Sequence, residues 1–502
     1  MRPSPVRQVV VAGSGTDALL AAATLKRQLP GLSVILLRDP QAAEPDPVGE
    51  STTPAVIHQL CTVIGLQGAD LHTHARPVWT LGYKCLWGAR GSFYRSFDQT
   101  FSQGIPGFRT EPGFLAADSG MDACLIPVAL MSAGKLFPKD GTNSFKPIEN
   151  LTGLNFRSEM LDGLLMRACQ AVGVGMRSVK VTGYEAEPAR VHLEDGTSIV
   201  ADLFIDAGGS ARPLATLAGN TAWISYADAA PCIRGATLRR RRGSEPIRPY
   251  TTLETQDAGW RWRTEHDDSI GMGLAWHPDF ISDDEACAQL VAKAGDATLV
   301  PQVHEWNSGR LAKPWDGAVL AIGDAGGFLP PMASQRIGLL TLQLNWLMRL
   351  LVETDGNMAD ACRANYNNVT GEAWDECRDF QALHYRYNTA SDSPFWLMAR
   401  DSVSLGTCAR LVELYQSIGP AHLLSNFLPS WPGAVGLDSW LALLLGLDLP
   451  FHHHPEIPAE EKKAWENICA QRRVLAKQAV SPELCIGAAR RAVKPAPRVG
   501  FP

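Results

Sequence analysis

Six residues early in the chain, Gly13-Ser14-Gly15-Thr16-Asp17-Ala18, follow the apolar run Gln8-Val9-Val10-Val11-Ala12 and precede an Ala/Leu-rich segment over residues 19–29. Two glycines let a backbone turn and approach phosphates, and small Ala18 lets a helix pack close to a sheet. The free N–H groups at the helix start attract an anion, so this order predicts a loop that cradles a dinucleotide pyrophosphate. The bland alternative is a glycine turn in an ordinary βαβ unit. The next apolar run, Val34-Ile35-Leu36-Leu37, should end in an acidic residue that grips ribose hydroxyls. It ends in Arg38, with Asp39 next. Either Asp39 takes that role, or Arg38 faces a phosphate, or the nucleotide is held loosely.

A second group with chemical potential lies on Trp79-Thr80-Leu81-Gly82-Tyr83-Lys84-Cys85-Leu86-Trp87, whose period of two predicts a strand. The odd positions share one bulky face, and Lys84 points to the other beside Gly82 and Leu86. Lys84 either lines a cavity, where its ammonium donates hydrogen bonds and its neutral form is a nucleophile, or snorkels from an outer sheet face. The residues alone leave both open. Arg239-Arg240-Arg241-Arg242, followed by Gly243-Ser244, reads as a solvated loop, with a docking patch for an acidic partner as the sharper reading. His452-His453-His454 reads as surface loop, since three adjacent histidines do not converge on one metal.

Composition narrows the function classes. A net charge of -6 gives no reason to expect nucleic acid or an anionic membrane as partner. The 11 cysteines form no CxxC pair, which argues against a disulfide framework or zinc site and for a reducing cytoplasm. No apolar run is long enough to span a bilayer, and the apolar stretch after Arg2 and Arg7 is cut short by the glycine loop, unlike a signal peptide. With 502 residues and 45% hydrophobic content the chain can bury a large core and holds more than one module.

The elements that must position these residues form an α/β pattern. A helix is expected over residues 156–171, strands near 177–184, 190–194, 272–276 and 318–322, long loops over 95–150, and a long apolar helix over 337–352. Helices with Pro/Gly breaks fill the chain from about residue 396. Three strands, ending near residues 13, 207 and 323, each meet glycine. A sheet gathering all three would lay one long cofactor along its edge, which suits FAD better than NAD because a flavin needs contacts along its ribityl chain as well.

At this point the chain resembles the flavin-dependent tryptophan halogenases, over nearly its full length. The resemblance rests on Gly13-x-Gly15-x-x-Ala18, Val48-Gly49-Glu50-Ser51-Thr52-x-Pro54, Gly82-Tyr83-Lys84, residues 201–206, Pro249-Tyr250-Thr251, Gly259-Trp260-Arg261-Trp262 and Gly323-Asp324-Ala325-Gly326-Gly327-Phe328-x-x-Pro331. The most specific stretch comes late, at Asp375-Glu376-Cys377-Arg378-Asp379-Phe380, His384-Tyr385 and Asp392-Ser393-Pro394-Phe395-Trp396. The resemblance implies a Rossmann-like FAD-binding fold of the flavoprotein-monooxygenase/halogenase type. An interleaved, substrate-side β-sheet would complete a domain over residues 1–395, and a helical capping module would occupy 396–502. It implies reduced FAD from a separate flavin reductase, with oxygen and chloride or bromide giving hypohalous acid that a lysine, here Lys84, holds beside an electron-rich aromatic. The same resemblance puts Thr16, Arg38, Asp39, Gly49, Glu50, Ser51, Asp324, Gly327 and Phe328 at the cofactor with the glycine loop. Trp260 and Trp262 would separate flavin from substrate. The resemblance implies an aromatic small molecule or peptide as substrate, and a homodimer is compatible with it.

Departures from the family pattern cluster at the site. Trp260-Arg261-Trp262-Arg263 continues to Thr264-Glu265 where Ile-Pro is expected. Pro331-Met332-Ala333-Ser334-Gln335-Arg336 stands for Pro-Leu-Glu-Ser-Thr-Gly, so Ala333 replaces the glutamate expected to act with the lysine, and Gln335-Arg336 replaces the pair that holds halide. Gln335-Arg336-Ile337-Gly338 faintly resembles the Ser-Arg-Gly pattern of phenol- and pyrrole-type halogenases, which lack that glutamate. Ser334, Gln335 and Arg336 are the expected halide site, with Arg336 holding halide or flavin phosphate, and Glu265 or His266 is the candidate for the missing acid–base group. Arg95 replaces an expected histidine, Phe97 can stack on a ring, and Phe427, Trp431 and Trp440 remain of an aromatic wall thinned by Pro432-Gly433-Ala434. Two competing readings stand beside halogenation: a flavin monooxygenase hydroxylating an aromatic, and a flavin-binding protein without halogenating activity.

Overall fold

Val9, Val10 and Val11 have no exposure because the strand Gln8–Ala12 runs through the middle of a six-stranded sheet. β-Branched residues on both faces suit a strand covered on both sides. The strand order is Gly175–Ser178, Ser33–Arg38, Gln8–Ala12, Leu203–Asp206, Val319–Ala321 and Trp315–Asp316. Every pairing is parallel except the last. The helices Thr16–Gln28 and Ser158–Val172 cover one face, and a three-stranded antiparallel sheet packs Val191 and Leu193 against Val10 and Phe204 on the other. The fold is the expected α/β one, and the three glycine-bearing strand ends lie side by side. The computed structural model describes residues 5–41, 49–98, 124–141, 144–148, 151–428, 435–454 and 456–492.

Asp206 ends the central strand fully buried. Its carboxylate accepts the Gly208 N–H at 3.0 Å and the Ala215 N–H at 2.8 Å. Burial pushes the carboxyl up to about 6, while these amides pull the other way. A folded-state acid pKa raised above its unfolded value means that the native chain keeps a proton the unfolded chain releases. This contribution is therefore most favourable at low pH and is lost as pH rises from about 4 through about 6. Asp206→Asn is expected to lower Tm at every pH, because its amide nitrogen would face the Ala215 N–H, and to remove that fall. Melts of both proteins across the window check this; parallel Tm-against-pH curves would refute it.

A seven-stranded sheet stands beside the first, in the order Gln302–Glu305, Arg234–Arg241, Ser269–Trp276, Gly259–Glu265, Thr251–Gln256, Gly82–Leu86 and Phe93–Ser96. Two sequence expectations change here. The single strand expected over 79–87 is two: Val78–Thr80 pairs with Gly153–Phe156 in a small separate sheet, and Gly82–Leu86 joins the large one. The chain bends between them, where Leu81 N–H donates to Pro249 O and a Cβ on Gly82 would lie 2.1 Å from Arg95 O. The arginine run is mostly strand rather than loop. Arg239 pairs with Glu159, Arg240 with Glu245, and Arg242 with Glu265, so three of its four charges are engaged locally, and Arg241 is exposed.

The helices Gln335–Glu353 and Asp360–Arg386 close the space between the two large sheets. Within the stretch read as loops, Ile126–Ser132 is a helix with proline in its first turn. All eleven cysteines are free, and His452, His453 and His454 are exposed. Among the described residues, no helix is long and apolar enough to cross a membrane.

Candidate active site

A cavity of about 710 Å³ runs from the glycine loop to the large sheet. Its first end is lined by Ser14, Gly15, Thr16, Arg38 and Asp39. A Cβ at Gly15 would meet nothing within 4 Å, so the missing side chain leaves the backbone open to the cavity. Gly13 does not line it; a Cβ there would lie 2.3 Å from Ala207 O and 2.9 Å from Ala18 Cβ, so Gly13 and Ala18 serve the close packing of helix on sheet. Thr16 donates to Asp162 at 2.5 Å. Arg38 and Asp39 both face the cavity, and the buried Arg38 Nε has no hydrogen-bond partner.

Arg336 crosses the cavity wall and binds three carboxylates from three segments: Asp17 at 2.8 Å, Glu50 at 2.9 Å and Asp324 at 2.9 Å. Burial pushes the Asp17 carboxyl up to about 6; Arg336 pulls it down and Asp324 pushes it up again. Gly323 must be glycine: its φ is +56°, and a Cβ would lie 2.0 Å from Asp17 Oδ2. Gly49, at φ +76°, likewise has Phe156 O where a Cβ would be, and it delivers Glu50 and Ser51 to the cavity. Gly327 faces Trp374, and Phe328 lines the cavity. The guanidinium of Arg336 is therefore engaged by three acids and is not the open anion site expected from the sequence.

The far end is walled by Tyr83, Thr251, Trp262 and Thr264 from the large sheet, with Ser334, Gln335 and Gln381 opposite. Tyr83 pairs in register with Thr251 and Arg95, so the three share one face of the sheet, on which Tyr83 and Thr251 line the cavity. Its hydroxyl lies against Ser51 and Ser334 and its pKa is raised by burial. Ser334 sits in the left-handed region at φ +53° just before the helix Gln335–Glu353, a strained setting for a non-glycine residue. Gln381 donates to Pro330 O and to the Gln335 amide oxygen.

Lys84 is the main correction. It pairs with Thr252 and Tyr94, on the face opposite Tyr83, because side chains alternate along a strand. Its Nζ lies 5.6 Å from the Tyr94 ring centroid, and it does not line the cavity. Glu265 is also turned away, paired with Arg242 and Arg263, while neighbouring Thr264 faces in. Ala333 is buried beside Ser334.

Behind Tyr83 lies an aromatic compartment. Phe97 sits edge-on to Tyr83 at 6.0 Å, and Phe380 edge-on to Trp440 at 5.1 Å. Arg95 is buried over both the Tyr83 and Phe380 rings. Trp260 donates to the Tyr385 hydroxyl at 2.8 Å and lies 5.2 Å from Trp262, the ring that meets the cavity. Burial, with Arg95 adding to it, lowers His384 to about 3, so it stays neutral. Trp431 lies outside the described residues. Sequence reasoning named Tyr83 only as part of a bulky face and missed Asp17 and Gln381; the alternation of Tyr83 with Lys84, set beside Arg95 and Phe97, is the signal that would have singled out Tyr83.

The donor set suits a phosphate-bearing flavin. An open backbone at Gly15, an unpartnered Arg38 nitrogen and a long cavity ending in an indole wall are what such a ligand needs.

A family model described as tryptophan halogenase matches residues 8–462. The tryptophan 7-halogenase KtzQ of Kutzneria sp. is 23% identical over 91% of this chain and 92% of its own length. The tryptophan 6-halogenase SttH of Streptomyces toxytricini is 27% identical over 51% of this chain and 49% of its own length. The chain spans about half the length of the first curated relatives it matches. Among solved structures, the flavin-dependent halogenase BrvH of Brevundimonas sp. BAL3 superposes with a TM-score of 0.85 at 24% identity, covering 96% of this chain and 99% of that one. The peptide tryptophan 5-halogenase MibH does so with a TM-score of 0.86 at 24% identity, covering 97% and 94%.

Proposed function

The chain belongs to the tryptophan halogenase family, and on that premise we propose that it is a two-component, FAD-dependent halogenase acting on an electron-rich aromatic substrate. The observation that carries this reading is one cavity joining the glycine loop to the Trp262 wall, with the aromatic compartment behind Tyr83. Ser14, Gly15 and Thr16 would hold the pyrophosphate, Arg38 and Asp39 the nucleotide end, and Glu50, Ser51 and Asp324 the middle. FAD, reduced by a separate flavin reductase, supplies the oxygen-activating chemistry that turns halide into hypohalous acid. Trp262, Trp306 and Phe328 form a dry wall against this end. Ser334, Gln335 and the free N–H groups that open the helix Gln335–Glu353 are the proposed halide contacts, and Arg336 fixes that helix end through its three carboxylates. Tyr83 stands at the passage to the substrate compartment, protonated because burial raises its pKa, and so able to donate to hypohalous acid without becoming a reactive phenolate. The eleven free thiols suit a reducing compartment such as the cytoplasm.

One observation favours a second reading. Among the described residues, Lys84 faces away from the passage and residue 333 is alanine. A monooxygenase on the same fold would add oxygen instead. Incubation with FAD, flavin reductase, NADH and bromide against an aromatic panel, read by mass spectrometry, separates the readings. A brominated product supports halogenation, one added oxygen supports the second reading, and flavin turnover with no modified aromatic supports a non-halogenating protein. In the same assay Tyr83→Phe is expected to cut product formation at least about tenfold, the cost of one hydrogen bond to a reacting species. Lys84→Ala should leave it within about twofold, as a substitution whose side chain faces away from the cavity does. Abolition by Lys84→Ala, with Tyr83→Phe unaffected, would overturn the role given to Tyr83.

A further inference from the structure

Arg95 is 5% exposed, yet its Nε and one terminal nitrogen are buried with no hydrogen-bond partner among the described residues. Its guanidinium carbon lies 4.2 Å from the Tyr83 ring centroid and 5.1 Å from that of Phe380. Two aromatic faces offset part of the cost of burying a cation, but they leave its in-plane N–H donors unused. Among the described residues no carboxylate forms an ion pair with it; Glu376, on the helix Asp360–Arg386, accepts from Trp440. His384, also on that helix, is neutral and adds no counter-charge. A fixed, desolvated guanidinium over Tyr83 and Phe380, rings that in turn meet Phe97 and Trp440, suits an aromatic ring that carries its own anion, since a planar fork matches a carboxylate.

We propose that Arg95 makes this enzyme selective for an anionic aromatic substrate, an aromatic carboxylate whose carboxyl group pairs with the unused Arg95 N–H donors. This rests on the substrate compartment of the proposed function, but concerns binding rather than turnover. Arg95 is here a specificity-determining residue, distinct from the passage formed by Tyr83.

The test uses the full chain loaded with oxidised FAD, without reductase, and titrates indole-3-acetate and indole-3-acetamide by calorimetry. The two ligands share ring and size and differ in charge. The carboxylate is expected to bind at least about tenfold more tightly than the amide, as a charge-assisted pair formed in a buried site gives. Arg95→Gln should erase that preference while leaving the weaker amide affinity within about threefold, and Arg95→Lys should keep part of it. Equal binding of acid and amide by the parent protein would overturn the proposal, and so would a preference that survives in Arg95→Gln. Loss of the acid preference in excess bromide would overturn it too, by assigning Arg95 to halide. If Arg95→Gln fails to fold, the parent comparison and Arg95→Lys decide. A chain that binds the acid selectively but yields no halogenated product refutes the halogenase reading alone.

Discussion

Gly15→Val is expected to fold normally and to lose FAD affinity by about a hundredfold, the loss of two charge-assisted amide contacts to phosphate. Nothing stands within 4 Å of a Cβ at Gly15, so the apo chain accommodates the new side chain. It does so in the space where a pyrophosphate would approach the helix start. Gly13→Val is expected to fail differently. Its Cβ would collide with the Ala207 carbonyl and crowd Ala18, forcing apart Gln8–Ala12 and Leu203–Asp206, which pair directly. Because backbone cannot step aside as a flexible side chain can, the cost is about 3 kcal/mol or more. Thermal melts without FAD and FAD titrations of both variants separate the cases. A Gly15→Val chain with unchanged FAD affinity would remove the pyrophosphate from this loop.

The second large effect is at Arg336. Arg336→Met leaves Asp17, Glu50 and Asp324 facing one another without a counter-charge. Stripping one partner from a partly buried ion pair costs about 3 kcal/mol. The sign of the pH dependence follows from the carboxylates. Without the guanidinium the Asp17 carboxyl, already pushed up to about 6 by burial, rises further, so acid protonates it and relieves the repulsion. Chemical denaturation should therefore show a deficit that is largest near pH 8 and shrinks toward pH 5. Asp17→Asn in the Arg336→Met background should recover part of it. A deficit independent of pH would assign Arg336 a packing role instead.

What the sequence could and could not disclose follows from the distance between interacting partners. The glycine loop is a local pattern, so Gly13, Gly15 and Ala18 were legible, although only the structure divides their work between packing and ligand access. That Lys84 and Tyr83 face opposite ways was also legible, from strand alternation. Which of those faces meets the cavity was not, because Tyr83 is oriented by Thr251 and Arg95 in neighbouring strands. The bend at Leu81 escaped for the same reason: it depends on Pro249. The carboxylate cluster is the extreme case. Arg336 meets Asp17 and Glu50 across 319 and 286 positions, and no periodicity reports such a pairing. The arginine run misled because four like charges read as solvated until Glu159, Glu245 and Glu265, the partners of three of them, are known.

Trp262, at the cavity wall, is the first of a series of indoles: Trp260 lies 5.2 Å from it, Trp87 a further 6.4 Å on and Trp396 another 5.5 Å. Rings this close exchange excitation energy before they emit. A chromophore that absorbs in the near-ultraviolet and blue, seated against Trp262, will therefore drain the emission of the whole series and not of one ring. The protein carries a built-in optical gauge of its own occupancy, and its ultraviolet fluorescence should dim in step with flavin binding without any added label.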